Sequence, residues 1–139
     1  MRVRPFLIEA FREGFARHFR GKSFDGIVPV PLHWLRRFQR EFNQAEVLAR
    51  ALSESLQVPL ITDALRRIRY TQPQSRLRGQ WRLSNVEGAF APGARSVEGM
   101  NLLLVDDVMT TGMTMSACAK VLGDGGAASV TAYALARRV

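Results

Sequence analysis

The stretch LLLVDDVMTTGMT, Leu102 to Thr114, restricts the fold more than any other part of the chain. Leu102, Leu103, Leu104 and Val105 are apolar without alternation, the pattern of an interior parallel strand covered on both faces. Asp106 and Asp107 follow at once and are expected at the strand's carboxyl end. Thr110-Thr111-Gly112-Met113-Thr114 then turns into a segment with helical apolar spacing. Such strand–turn–helix units build doubly wound sheets, whose ligands sit at the carboxyl ends of the strands.

Each part of the turn has a chemical reading. Gly112 permits close backbone approach. The hydroxyls of Thr110, Thr111 and Thr114, with nearby backbone N–H groups, can converge on one anion. A helix N-terminus adds the equivalent of roughly half a positive charge there. The loop therefore suits a phosphate. Carboxylates repel phosphate, so the acids must face a polyol, a cation or both. A ribose 5-phosphate meets these demands, with its phosphate in the loop and its ring hydroxyls donating to the aspartates. Mg²⁺ would offset the acid pair, through water. A Walker A loop needs a lysine that is absent here. The plain structural alternative is a strand–helix turn in which Thr110 or Thr111 caps the helix.

The rest of the chain alternates in the same way. The 139 residues are 47% hydrophobic and 23% charged, ordinary for one globular domain. Residues 5–20 carry Phe6, Leu7, Ala10, Phe11, Phe15 and Phe19 at helical spacing, ended by Gly21. DGIVPVP reads as a short buried strand stopped by prolines. NQAEVLARALSESLQV reads as a helix with a stripe of Ala45, Leu48, Leu52 and Leu56, capped by Asn43, with Glu46 at capping-box spacing. PLITDALRRIRY reads as a strand region, and ASVTAYALA as a last strand. GMTMSACAKVLGDGG reads as a helix closed by glycines, with Met113, Ala117, Val121 and Leu122 as its core stripe and Cys118 as a small buried hydrophobe. The fold expectation is α/β, with a central, mostly parallel sheet of about five strands flanked by helices.

Charge and cysteine usage add less. The net charge is +8, and Lys22 and Lys120 are the only lysines among the basic residues. Arginine suits oxyanions because its planar fork binds them bidentately, but a surplus spread over solvated faces reads the same way. Cys118 is the single cysteine, which excludes an internal disulfide and a Cys-rich zinc site. No apolar run approaches a membrane span and no signal peptide is read, so a cytoplasmic setting is expected.

LLLVDDVMTTGMT resembles the phosphoribosyl pyrophosphate signature of type I phosphoribosyltransferases. VPVPLHWLRRFQREFNQAEVLA, Val28 to Ala49, and TQPQSRLRGQWRLSNVEGAFA, Thr71 to Ala91, resemble the ComF/GntX-like branch of that family. Together these blocks span most of residues 28–139. The resemblance implies that the chain binds phosphoribosyl pyrophosphate with Mg²⁺ and transfers the phosphoribosyl group, releasing pyrophosphate. It assigns the ribose, and Mg²⁺ through water, to Asp106 and Asp107. It assigns the 5-phosphate to Val108, Met109, Thr110, Thr111, Gly112, Met113 and Thr114. Pyrophosphate falls to the loop after the first strand, Pro31, Leu32 and His33, with Arg36 and Arg40 following. Arg76, with Arg78 and Arg82, is the cation expected on a lid over the reacting centre. For His33 and the arginines, the alternative is an ordinary solvated side chain.

Two departures from the family pattern stand out. The family's N-terminal cysteines are absent, so residues 1–139 read as a single transferase domain without a zinc module. Glu41 stands where the family has glycine, and it must point away from pyrophosphate or pair with Arg37 or Arg40. The resemblance also carries a second reading, a non-enzymatic ComF-type accessory in DNA uptake and natural transformation. Its contacts would be weak, sequence-blind binding to single-stranded DNA or to a DNA-uptake protein. A third reading is a ligand-sensing regulator on the same fold. A homodimer remains open, and no acceptor substrate is legible.

Overall fold

The structure, a computed structural model, describes residues 4–32, 43–68, 88–109 and 111–137. Helix α1 (Pro5–His18) leads into strand β1 (Gly26–Pro29), then helix α2 (Gln44–Leu56). Short strands β2 (Leu65–Arg67) and β3 (Phe90–Pro92) follow, then β4 (Asn101–Met109), helix α3 (Met113–Asp124) and β5 (Ser129–Arg137). The central sheet is parallel, in the order β1-β4-β5. Strands β2 and β3 form a separate antiparallel pair.

The α/β class is as expected, and five strands are described, but they do not form one sheet. The reason lies in the prolines of β1. On the side away from β4, Ile27 N–H donates to the Pro59 carbonyl and Ile61 N–H donates back to Ile27, one bridge centred on Leu60. The next donor on that edge would be residue 29, and Pro29 has no N–H. The bridge therefore stays single.

Alternation along β4 sorts the core into two layers. Leu103 and Val105 face α1 and α2, joining Phe11, Phe15, Ile27, Leu48 and Leu52. Leu102 and Leu104 face α3, joining Val28, Met115, Cys118 and Leu122, with β2 and β3 closing that layer. All four β4 residues are fully buried. Tyr133 of β5 locks α1 in place, donating from its hydroxyl to the Phe11 carbonyl at 3.0 Å and packing on the Phe11 ring at 4.6 Å.

The helices form where the sequence signals place them, with two corrections to their buried stripes. Asn43 caps α2, its side-chain oxygen accepting from Ala45 N–H at 3.0 Å. Its amide also donates to the Val30 carbonyl at 3.0 Å, tying the helix start to the exit of β1. Leu56, placed on the α2 core stripe from sequence, is 38% exposed, because the buried stripe is Ala45, Leu48, Ala49, Ala51 and Leu52. The buried stripe of α3 is Met115, Cys118 and Leu122; Met113, Ala117 and Val121 pack only partly against the core. Cys118 is fully buried on the face of the sheet that carries Leu102 and Leu104. Among the described residues, no helix is long and apolar enough to cross a membrane.

Candidate functional site

The acids do not terminate β4. The strand continues through Asp106, Asp107 and Val108 to Met109, paired with β5 as far as Met109 opposite Arg137. What stops is β1, whose register ends with Pro29 opposite Val105, followed by a bond from Val30 N–H to the Val105 carbonyl at 2.9 Å. Pro31 and Leu32, half-buried, therefore leave the sheet beside the acid pair.

Because strand side chains alternate, the two acids diverge. Asp106 shares the α3 face with Leu102 and Leu104, and Asp107 shares the face of α1 and α2. Each anchors the next amide. Asp107 N–H donates to Asp106 Oδ1 at 2.8 Å, and Val108 N–H donates to Asp107 Oδ1 at 2.9 Å. Burial, reinforced by the Asp107 carboxylate, pushes the Asp106 carboxyl up to about 8, against a smaller opposing pull from Arg67. Asp106 therefore keeps its proton near neutral pH, and the repulsion expected of an adjacent acid pair is relieved by that proton.

The loop after the acids enters α3 through a left-handed residue. Gly112 has φ +83°, a conformation that costs residues with a Cβ about 1–2 kcal/mol. Thr111 Oγ1 accepts from Met113 N–H at 3.3 Å. No acidic residue occupies the first turn of α3, which leaves the helix dipole there uncancelled from within the helix. Asp106, Val108, Met109, Gly112, Thr114 and Met115 line a cavity of about 20 Å³, room for roughly one water.

A model of the phosphoribosyl transferase domain matches residues 43–139. The chain belongs to this family. Competence protein F of Haemophilus influenzae is 34% identical over 115 residues, covering 81% of this chain and 50% of the relative. Competence protein ComFC of Bacillus subtilis is 37% identical over 135 residues, covering 94% of this chain and 53% of the relative. The DNA utilization protein YhgH of Escherichia coli K12 is 38% identical over 113 residues, 81% of this chain and 49% of the relative. The chain thus lies in the ComF-like branch of the type I phosphoribosyltransferases, and it spans about half the length of these curated relatives. A purine phosphoribosyltransferase from Pyrococcus horikoshii shares the fold with TM-score 0.62 at 16% identity, covering 99% of this chain and 77% of that one.

Of the family-signature residues, the structure gathers Asp106, Val108, Met109, Gly112 and Thr114 around one cavity. Asp107, Thr111 and Met113 do not line it. Thr110, His33, Arg36, Arg40, Glu41 and Arg76 lie outside the described residues. Two contributors escape sequence reasoning. Met115 closes the cavity from the first turn of α3, and its apolar side chain offers no chemical signal. Arg67, stacked over Phe90 at 5.1 Å, acts on Asp106 from a strand far away in sequence, and nothing local links the two.

Proposed function

We propose that this phosphoribosyltransferase-family chain binds phosphoribosyl pyrophosphate with Mg²⁺ and transfers its phosphoribosyl group, with release of pyrophosphate. The observation that carries the reading is the continuity of Asp106 and Asp107 with a left-handed Gly112 and an acid-free helix start, all at the edge where β1 ends. The donor set fits Mg²⁺. Asp107 supplies hard carboxylate oxygens, and this ion needs only one or two carboxylates, completing its shell with water and substrate phosphates. When bound, the ion neutralises charge on the departing pyrophosphate.

The chain's own groups then divide the work. The loop from Val108 to Thr114 holds the 5-phosphate, and Asp106 and Asp107 hold the ribose hydroxyls. Asp106, protonated near pH 7, can donate to one ribose oxygen while Asp107 accepts from another. Pro31 and Leu32 lead toward His33, Arg36 and Arg40, which the family resemblance assigns to pyrophosphate, as it assigns Arg76 to the reacting centre. Such positioning, with electrostatic help at the leaving group, supplies most of the catalysis when the transition state resembles an oxocarbenium ion.

A second reading is ligand binding without turnover, in an accessory role in DNA uptake. The names of the relatives, Competence protein F and DNA utilization protein, point that way. Calorimetry with phosphoribosyl pyrophosphate and Mg²⁺ tests binding, and a pyrophosphate-release assay over a panel of nucleobases tests turnover. Binding with release supports transfer. Binding without release favours the accessory reading. No heat and no thermal shift at millimolar ligand removes both.

A further inference from the structure

A second surface lies at the opposite end of the sheet. Helix α2 follows the exit of β1, so its C-terminus returns to the amino end of the strands. Helix α1 precedes β1 and ends there too. Between these two helix ends is a groove of about 510 Å³, far larger than the cavity beside Asp106. Its floor is Phe15, Phe19 and Leu52, and its lip is Leu56, 38% exposed although it continues the apolar run of α2. Apolar surface left open in this way marks an interaction site when it is contiguous and rimmed by polar groups.

The rim is cationic. Arg12, Arg20 and Lys22 line it against a single acid, Glu13. Lys22 is held in position by its bond to Thr131 Oγ1 at 3.1 Å and by the Phe24 ring 5.8 Å away. Arg12 pairs with Glu9 through Nη1 at 2.7 Å, while its buried Nε has no hydrogen-bond partner among the described residues.

We propose that this groove docks an acidic amphipathic helix of a partner protein. Its apolar side chains would lie on Phe15, Phe19, Leu52 and Leu56, and its carboxylates would meet Arg12, Arg20 and Lys22. No strand edge lines the groove, so strand addition is not offered, and helix-in-groove packing is the mode that fits two helix ends. Nucleic acid fits less well. Single strands bind by stacking bases on free aromatic faces. The Phe19 ring already packs on Phe15 at 5.0 Å and on Tyr133 at 5.6 Å, and its other ring neighbours are Phe24 and His18. Phe15, the other aromatic of the floor, is buried and packs on Phe19, Phe24 and Tyr133.

The test uses the full chain with three labelled probes followed by fluorescence anisotropy. One is a synthetic helix with leucines on one face flanked by glutamates. The second replaces those glutamates with lysines. The third is oligothymidine. The proteins are the parent, Leu56→Glu, and the double variant Arg20→Glu with Lys22→Glu. The altered side chains are exposed, so melting temperatures should match the parent. The acidic helix should bind the parent and lose at least about tenfold in affinity to each variant, and the lysine helix should prefer the double variant. No binding of the acidic helix at millimolar concentration, or equal binding to all three proteins, overturns the proposal. So does oligothymidine binding that the double variant loses while the acidic helix stays silent, which assigns the surface to nucleic acid.

Discussion

The two halves of β4 share one backbone ladder and differ in one neighbour. Leu102 to Val105 lie between β1 and β5, with helices over both faces, and are completely buried. Asp106 to Met109 keep β5 alone, and Val108 is 44% exposed. Nothing in β4 itself marks the change of environment except the residue types. The change is made next door, where β1 ends at Pro29 and its chain departs at Pro31. The candidate site is thus an edge opened by a neighbouring strand's stop, where both acids are only partly covered and the more deeply placed Asp106 is accommodated by keeping its proton. In the first half the same carboxylates would be sealed among leucines.

The largest test of this contrast is in the buried half. Leu103→Ala removes a side chain with no exposed surface from the layer shared with Phe11 and Leu48. It should lower stability by about 2–5 kcal/mol in chemical denaturation. A loss under about 1 kcal/mol would mean that this half of the strand is not the sealed core described.

The open half should answer in affinity. Asp107→Asn keeps an oxygen that can accept from Val108 N–H, so the fold should hold within about 0.5 kcal/mol. It removes a charged acceptor worth about 1.5–3 kcal/mol to a ribose hydroxyl, so affinity for phosphoribosyl pyrophosphate should fall roughly ten- to a hundredfold. Side-by-side melting and calorimetry read both numbers. An unstable variant that binds at parental strength would make Asp107 a structural acid.

Asp106 gives an intermediate effect with a defined sign. Its carboxyl titrates at about 8 when folded, against 3.8 as the ordinary value. The folded state therefore holds this proton more tightly than the unfolded chain does. The associated stability is fully present below the ordinary value and is lost as pH rises through about 8. The slope between these limits is at most about 1.4 kcal/mol per pH unit, lessened by the open side of the site. Asp106→Asn should flatten this dependence and raise the melting temperature near pH 8. Parallel pH profiles of Asp106→Asn and parent would expose a different origin for the trend.

How much of this was legible beforehand differs between the same regions. The apolar run Leu102 to Val105 identified a buried parallel strand because burial on both faces leaves a signal in every residue. Asn43 was legible as a cap because capping is local. The point where the acids stand was legible, but its cause was not. The sequence reading ended β4 at Asp107, whereas the strand ends at Met109 and the boundary comes from Pro29, paired across the sheet with Val105. The five expected strands are present but do not form one sheet, since a missing N–H at Pro29 limits pairing with a segment some thirty residues on. Leu56 was misplaced because helical periodicity says which face is apolar and not where the neighbouring element stops covering it. Asp106's retained proton depends on burial beneath α3 and on Arg67, neither of which is adjacent in the chain.

The smallest effect belongs to Thr111, at the junction of the open half with α3. Its hydroxyl could serve the helix or an anion, and the structure gives it a bond to Met113 N–H at 3.3 Å. That distance lies at the long end for hydrogen bonds, so its contribution should fall below the typical cap value of about 1 kcal/mol. Thr111→Val keeps the β-branched shape and removes the oxygen. Urea denaturation should show a loss of about 0.5 kcal/mol, restored by Thr111→Ser. If the hydroxyl serves mainly as a cap, affinity for ribose 5-phosphate should change by less than about tenfold, since the left-handed turn at Gly112 is untouched. A larger loss of affinity with unchanged stability would transfer Thr111 from the helix to the phosphate. The open half of β4 and its loop would then be dedicated to ligand at every polar position, which would sharpen its contrast with the buried half.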